Sequence, residues 1–340
     1  MQVRKFRPFT CDVIVVDGMW GVGKTAVTSV IGSMPRVEKM RINPVHEYAC
    51  VLHHLGRMSA DAADFMISTF ADHDQYHNLI GREVNFRPGD ASGTPNTPGS
   101  TLRYLRRMFG DDGDRVVDEI NSRNVAHHAV THQVLPVAGP IFDAFGDRLK
   151  MLHVVRHPVH LVRYWRDYLS DLDREREFTV SIDHEGTKVP WWAAEWADRW
   201  AEMTTIDRTV ASLVEMYRSI FSAVDARVGD PRLLVLSFED VVMRPTPSFA
   251  AISAFLGRPL GRRTDGILVR ERIPRPTITH GRAFSAHNWA SSGEATEADI
   301  YAAELSLVTD AASPALVGEF LALVDEYDRR HPCELAELRP

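Results

Sequence analysis

Residues Gly18-Met19-Trp20-Gly21-Val22-Gly23-Lys24-Thr25 complete the spacing G-x-x-x-x-G-K-[ST]. The run follows the apolar stretch Val13-Ile14-Val15-Val16 and opens Lys24 to Met34, where apolar residues recur every three or four positions. A strand, a glycine-rich turn and a helix in that order bring backbone N–H groups together at a helix N-terminus, whose dipole favours an anion. Gly18, Gly21 and Gly23 form the cradle, Lys24 adds a point charge, and Thr25 offers a hydroxyl that can ligate magnesium. The ligand expected is a phosphate-bearing nucleotide.

Further apolar, β-branched runs lie at Arg115 to Val117, Met151 to Val155 and Leu233 to Leu236. They are continuous rather than alternating, as strands covered on both faces of a parallel sheet are. Helical spacing marks His160 to Leu172, Trp191 to Arg227 and Ser248 to Leu256. The fold class expected is therefore α/β, a P-loop three-layer α/β/α arrangement with a central parallel sheet and right-handed crossovers. Residues 41–113 carry helical pieces without a strand signal and read as a helical insertion that caps an acceptor site. The Gly- and Pro-rich stretch from Arg87 to Ser100 and the DDGD run at 111–114 read as loops, so 1–340 is expected to form a single domain.

Composition excludes several classes of partner. With 39 basic against 46 acidic residues and a net charge of −7, bulk electrostatics recruits neither nucleic acid nor an anionic membrane. Val13–Val16 is too short for a signal h-region, and no stretch approaches the roughly 20 apolar residues of a membrane span. Three widely spaced cysteines, Cys11, Cys50 and Cys333, form no disulfide framework, and the expected location is cytoplasmic. The sequence sets no oligomeric state.

Lys150 to Trp165 (KMLHVVRHPVHLVRYW) is a buried-type strand ending in Arg156, then His-Pro, then a helix. This resembles the 3′-phosphate-binding segment of the sulfotransferases, whose usual form is strand, Arg, any residue, Pro, helix. Leu233 to Val242 (LLVLSFEDVV) and Phe255-Leu256-Gly257 are similar to that family's Tyr-Glu-Asp-Leu and Phe-Leu-Gly landmarks, and Asp118 to Val125 (DEINSRNV) to the Glu-Lys-Thr-Pro-Arg-Asn-Val segment of bacterial members. The resemblance covers roughly residues 11 to 257. It implies sulfuryl transfer from 3′-phosphoadenosine 5′-phosphosulfate (PAPS) to a small-molecule or carbohydrate acceptor, with Arg156 on the 3′-phosphate. Tyr164 stands where the family has a second, serine ligand, and Lys24 follows the glycines as in nucleoside-triphosphate enzymes. An ATP- or GTP-dependent kinase using magnesium is thus the rival, and a non-catalytic nucleotide-binding regulatory protein the third reading.

The resemblance also offers two bases for the acceptor's proton. Glu119 matches the family's catalytic Glu and is expected just past the end of a strand at Arg115–Asp118; Asp118 and Glu119 are also the sequence's only short candidates for a magnesium partner. His132, in AVTHQVLP at 129–136, resembles the histidine base of the cytosolic sulfotransferases. Arg282, in His280-Gly281-Arg282, falls where the family places a late loop over the nucleotide and would be a second phosphate ligand; His287-Asn288-Trp289 belongs to the same stretch. Asp72, His73, Asp74, His77 and the pair His127/His128 fit no closed zinc spacing and read as polar helix-surface residues. Trp192, Trp196 and Trp200 recur every four residues and read as one helical stripe packed in the core, with an acceptor surface as the alternative.

Overall fold

The computed structural model describes residues 2–90, 92–96, 100–278 and 296–332. β1 (Val13–Asp17) leads through the glycine-rich turn into α1 (Lys24–Ile31). The short β2 (Arg41–Ile42) is followed by α2 (Pro44–His54), α3 (Ala60–Leu79), α4 (Ser100–Arg107) and α5 (Asp114–Ser122). Next come β3 (His127–Val130), α6 (Gly139–Phe145), β4 (Leu149–Val155), α7 (Val162–Ser170) and a hairpin of β5 (Ser181–His184) and β6 (Thr187–Pro190). After α8 (Ala197–Glu202), α9 (Thr205–Asp225) and β7 (Leu233–Ser237) lie α10 (Phe238–Met243), α11 (Pro245–Leu256), α12 (Thr264–Arg270), α13 (Glu297–Thr309) and α14 (Pro314–Arg330).

The central sheet has five strands in the order β2-β3-β1-β4-β7, every neighbouring pair parallel. All five residues of β1 are buried, as are six of the seven in β4. Burial on both faces is why these strands read as unbroken apolar runs. Helices flank the sheet, so the molecule is the α/β fold with a central parallel sheet that the sequence implies. Because the strands are parallel, the segments after β1, β3, β4 and β7 emerge at one end, where open α/β sheets bind ligands.

Three expectations need correction. Arg115–Val117 is not a strand but part of α5: Val116 and Ile120, four residues apart, pack on one face against Cys11, Leu79 and Val125. The strand in this region is β3, where His127 and His128, both buried, break the apolar signal. The helix expected over Trp191 to Arg227 is divided: Trp191–Trp196 is a 3₁₀ segment, α8 ends at Glu202 with Met203 extended, and α9 starts anew where the Thr204 hydroxyl accepts from Asp207 N. Trp192 and Trp200 are buried, and Trp192 Nε1 donates to Ser212 Oγ at 3.0 Å, so these rings belong to the core. Finally, the 41–113 segment is mostly helical but begins with β2, which extends the sheet by pairing with Ala129 and Val130.

Cys11 and Cys50 are buried free thiols, and Cys333 lies outside the described residues. Among the described residues no helix is long and apolar enough to cross a membrane.

Candidate phosphate-binding active site

The glycine-rich turn sits at the carboxyl end of β1. Gly21 and Gly23 have φ of 84° and 85°, a region that only glycine enters freely. Neither has room for a side chain: a Cβ on Gly21 would lie 2.9 Å from the Tyr164 ring and one on Gly23 2.2 Å from the Phe238 ring. The turn is thus clamped between rings delivered by α7 and α10. Lys24 is buried at the start of α1, its Nζ donating to the carbonyls of Gly18 at 2.5 Å and Met19 at 3.0 Å. Burial pushes the ammonium down to about 8, opposed by the Asp17 and Glu47 carboxylates. A cation held by two neutral carbonyls in a buried cradle is under-compensated, and a phosphate or sulfate oxygen meets that need.

Asp17, the last residue of β1, is buried and fully engaged. Its Oδ1 accepts from Thr131 Oγ1 at 2.9 Å and Val134 N at 3.1 Å, its Oδ2 from Leu135 N at 3.0 Å and lies 2.9 Å from His153 Nδ1. Burial alone would raise this carboxyl, but the His153 bond and the charges around it hold it well below the ordinary range. Asp17 therefore works as the anchor that turns the chain after β3 towards the site, rather than as a metal ligand beside Thr25.

That turn carries His132. Its imidazole stacks on the Trp20 indole with centroids 3.5 Å apart and planes 14° from parallel, and its Nδ1 lies 2.9 Å from Glu47 Oε1. Glu47 comes from the first turn of α2, fixed by Pro44 in that turn and by Asn43, whose side chain accepts from Val45 N. Burial, then the Asp17 carboxylate, pushes Glu47 up to about 8, while burial and Lys24 push the imidazole well below its ordinary value. Such a pair titrates as a unit. Below about 8 it retains a proton that leaves both ring nitrogens occupied; above it, Nδ1–H faces the carboxylate and Nε2 is bare, the state of a general base. Sequence reasoning found His132 but not Glu47, since no spacing signal links residues so far apart in the chain.

Arg156 emerges at the end of β4. Its Nη1 donates to Gly21 O at 2.9 Å, its guanidinium carbon lies 4.9 Å from the Phe238 ring centroid, and its buried Nε has no hydrogen-bond partner. A second arginine, Arg275, approaches the same ring at 5.3 Å, and its Nε is likewise buried without a partner. Burial and the charge of Arg156 push Arg275 down to about 10. Two desolvated guanidinium groups on one aromatic ring, each with an unused donor, form an anion slot next to the phosphate loop. Sequence reasoning placed the second phosphate ligand at Arg282, seven residues further on, which lies outside the described residues together with His280 and His287. Tyr164 is buried against Gly21 on the other side of the turn, and burial raises its hydroxyl to about 12.

Glu119 is not part of this assembly. It lies on α5, 43% exposed, with Oε1 2.6 Å from Arg123 Nη1. The chain leaves α5 through Asn124, whose side chain binds Asp12 N and Asp12 Oδ2 just before β1. This is the amino end of the sheet, roughly 15 Å from the phosphate loop at about 3.3 Å per strand residue. The assignment of Glu119 as base, and of Asp118 or Glu119 as magnesium partner, is corrected on this ground.

No family model matches the chain, and no curated protein matches it. Solved structures do. The sulfotransferase domain from the curacin biosynthetic pathway is 11% identical, with a TM-score of 0.48 over 94% of this chain and 98% of that one. A sulfotransferase from Alicyclobacillus acidocaldarius is 16% identical, with a TM-score of 0.35 over 94% and 97%. A mouse sulfotransferase complexed with PAP is 13% identical, with a TM-score of 0.39 over 94% and 84%. At these identities and TM-scores the likeness carries no weight for activity, and the site's own geometry has to.

Proposed function

We propose that this chain is a sulfotransferase-like enzyme that uses PAPS as donor and a small-molecule or carbohydrate hydroxyl or amine as acceptor. The observation that carries the proposal is the pair of cationic cradles at one end of the sheet, Gly18–Thr25 with Lys24 and the Arg156–Arg275 slot on Phe238. A donor with phosphates at both its 5′ and 3′ positions fits two such cradles. The phosphate loop would hold the 5′ end and the two arginines the 3′-phosphate, and the bound donor supplies the transferable sulfuryl group. Lys24, released from the carbonyls of Gly18 and Met19, stabilises charge on the group in transit. His132 Nε2 takes the acceptor's proton, and Glu47 fixes the imidazole by holding its Nδ1 proton.

A single domain over 1–340, with 41–113 as its acceptor cap, belongs to the same proposal. α2 in that segment brings Glu47 to His132, and Tyr48 Oη donates to Phe178 O at 2.7 Å, joining the cap to the stretch after α7. The position of Lys24 after the glycines favours an ATP- or GTP-dependent kinase as the second reading. Its magnesium would need an unengaged carboxylate beside Thr25. Asp17 is committed to four protein donors, and Asp118 and Glu119 stand at the other end of the sheet.

Thermal unfolding with adenosine 3′,5′-bisphosphate, ATP and GTP in parallel, with and without magnesium, tests the proposal. A ligand of the folded state stabilises it by about 2.7 kcal/mol at a hundredfold excess over Kd. The expected result is magnesium-independent stabilisation by the bisphosphate. Stabilisation by ATP or GTP that requires magnesium, with none from the bisphosphate, would replace this proposal by the kinase.

A further inference from the structure

At the edge of the sheet away from β4, the carboxyl-terminal half of α3 carries His73 and His77, one turn apart. Their ring centroids are 3.9 Å from each other. The chain then turns at Gly81, and Glu83 folds back so that its Oε2 lies 3.0 Å from His77 Nδ1. Glu83 takes up a φ of 54°, which places a non-glycine residue in the left-handed region. His77 is buried, and its Nδ1 makes no properly angled hydrogen bond. Each of the three side chains offers one ligand atom, and all three atoms fall within 4.8 Å of one another.

We propose that His73, His77 and Glu83 form a binding site for a divalent transition metal, with zinc as the best match. Two imidazoles and one carboxylate are a zinc donor set, and imidazoles on successive helical turns form a chelate that costs no backbone rearrangement. Three protein ligands leave at least one position to water, so the site is open on its solvent side. His73 Nδ1 lies 3.8 Å from Asp74 Oδ1, beyond hydrogen-bonding distance, and its half-exposed ring can turn either nitrogen to a metal. Arg41 is the opposing charge: its Nη1 donates to Glu83 O at 2.5 Å, not to the carboxylate. That bond ties the turn to β2, so a metal here would pin α3, the turn after it and the edge strand together. Its place on the far edge of the sheet separates it from the phosphate loop. The sequence alone did not disclose it, because the two histidines lack a third partner until the turn at Gly81 delivers Glu83.

The test uses tag-free, chelator-treated protein and two probes, zinc by calorimetry and cobalt by its visible absorption. The native chain is expected to bind one equivalent of zinc at this site, to unfold at a higher temperature with zinc, and to give a cobalt spectrum without thiolate charge transfer. Glu83→Gln and His73→Ala alter exposed residues, and each should weaken zinc binding by more than about tenfold, since loss of an outer-shell partner alone costs roughly 10–100-fold. Nucleotide binding should stay unchanged in both, which separates this proposal from that of the phosphate loop. Absence of zinc binding by the native chain, zinc affinity in either variant unchanged from the native chain, or a thiolate band from cobalt would each overturn the assignment.

Discussion

At the carboxyl end of the sheet Glu47, its side chain 17% exposed, lies against His132, and its surroundings push its carboxyl up to about 8. At the amino end Glu119 stands 43% exposed beside Arg123. The residue type is the same and both have a basic partner within hydrogen-bonding distance, yet only the first sits among groups that the fold has largely withdrawn from water. Desolvation next to Asp17 and Lys24 makes Glu47 part of a machine, while solvent around Glu119 screens its pair to a surface interaction worth roughly 0–1 kcal/mol. A sequence resemblance can align a glutamate with a catalytic one, but the end of the sheet on which it lands decides what it can do.

The largest effect should separate these two ends directly. Once an acceptor is known, His132→Ala should lower kcat by roughly 10²–10⁴ with donor affinity nearly intact, whereas Glu119→Gln should leave turnover within about twofold. The native rate should rise with pH through an apparent pKa set by the Glu47–His132 pair, near 8 in the free protein, and Glu47→Gln should displace that profile as well as lower kcat. A rate loss in Glu119→Gln comparable to that in His132→Ala would return the base to the amino end.

Next in size is Lys24→Ala, which removes the charge aimed at the donor. Donor binding or turnover should fall by about tenfold or more, or at least about 1.4 kcal/mol, measured by calorimetry and initial rates. Unchanged affinity in the folded variant would contradict the role given to the phosphate loop.

How much of this was legible follows the physics of each segment. β1 and β4 are covered on both faces, and the edge strand β7 is partly covered, so their apolar runs stood out, and the Gly18–Thr25 spacing located the site at once. β3 was not legible because His127 and His128 occupy buried strand positions, and their burial depends on neighbours such as His46 that only the fold brings near. Val116-Val117 suggested a strand through β-branching, but the four-residue interval from Val116 to Ile120 prevailed once Cys11 and Leu79 could pack against it. Arg156 was visible because it ends a strand. Arg275 and Glu47 were not, since each reaches the site from a distant element.

A smaller effect concerns stability against pH. Glu47 in the unfolded chain loses its proton near 4.5 but keeps it in the fold until about 8. The folded state therefore binds more protons across that window, and this residue's contribution makes stability fall as pH rises from 4.5 to 8, then level off. The buried histidines His128 and His160, with folded values below the ordinary one, slope the other way below about 6.5. The difference between denaturant unfolding of the native chain and of Glu47→Gln at several pH values isolates the Glu47 term. A difference that does not change with pH would mean that the carboxyl is not perturbed. The smallest effect belongs to the amino end: Arg123→Ala should change stability by no more than about 0.5 kcal/mol. A larger loss in the same denaturant titration would show that the exposed pair is a structural one.

The central claim, that two separate cradles hold the two phosphate-bearing ends of one donor, is tested most directly by Arg156→Ala with two ligands. Calorimetry would compare adenosine 3′,5′-bisphosphate with adenosine 5′-monophosphate on the native chain and the variant. Loss of a charged hydrogen-bonding partner costs about 1.5–3 kcal/mol, so the bisphosphate should weaken by roughly tenfold to a hundredfold and the monophosphate by less than about threefold. Equal losses for the two ligands would contradict the claim, because the guanidinium would then not be reading the 3′-phosphate.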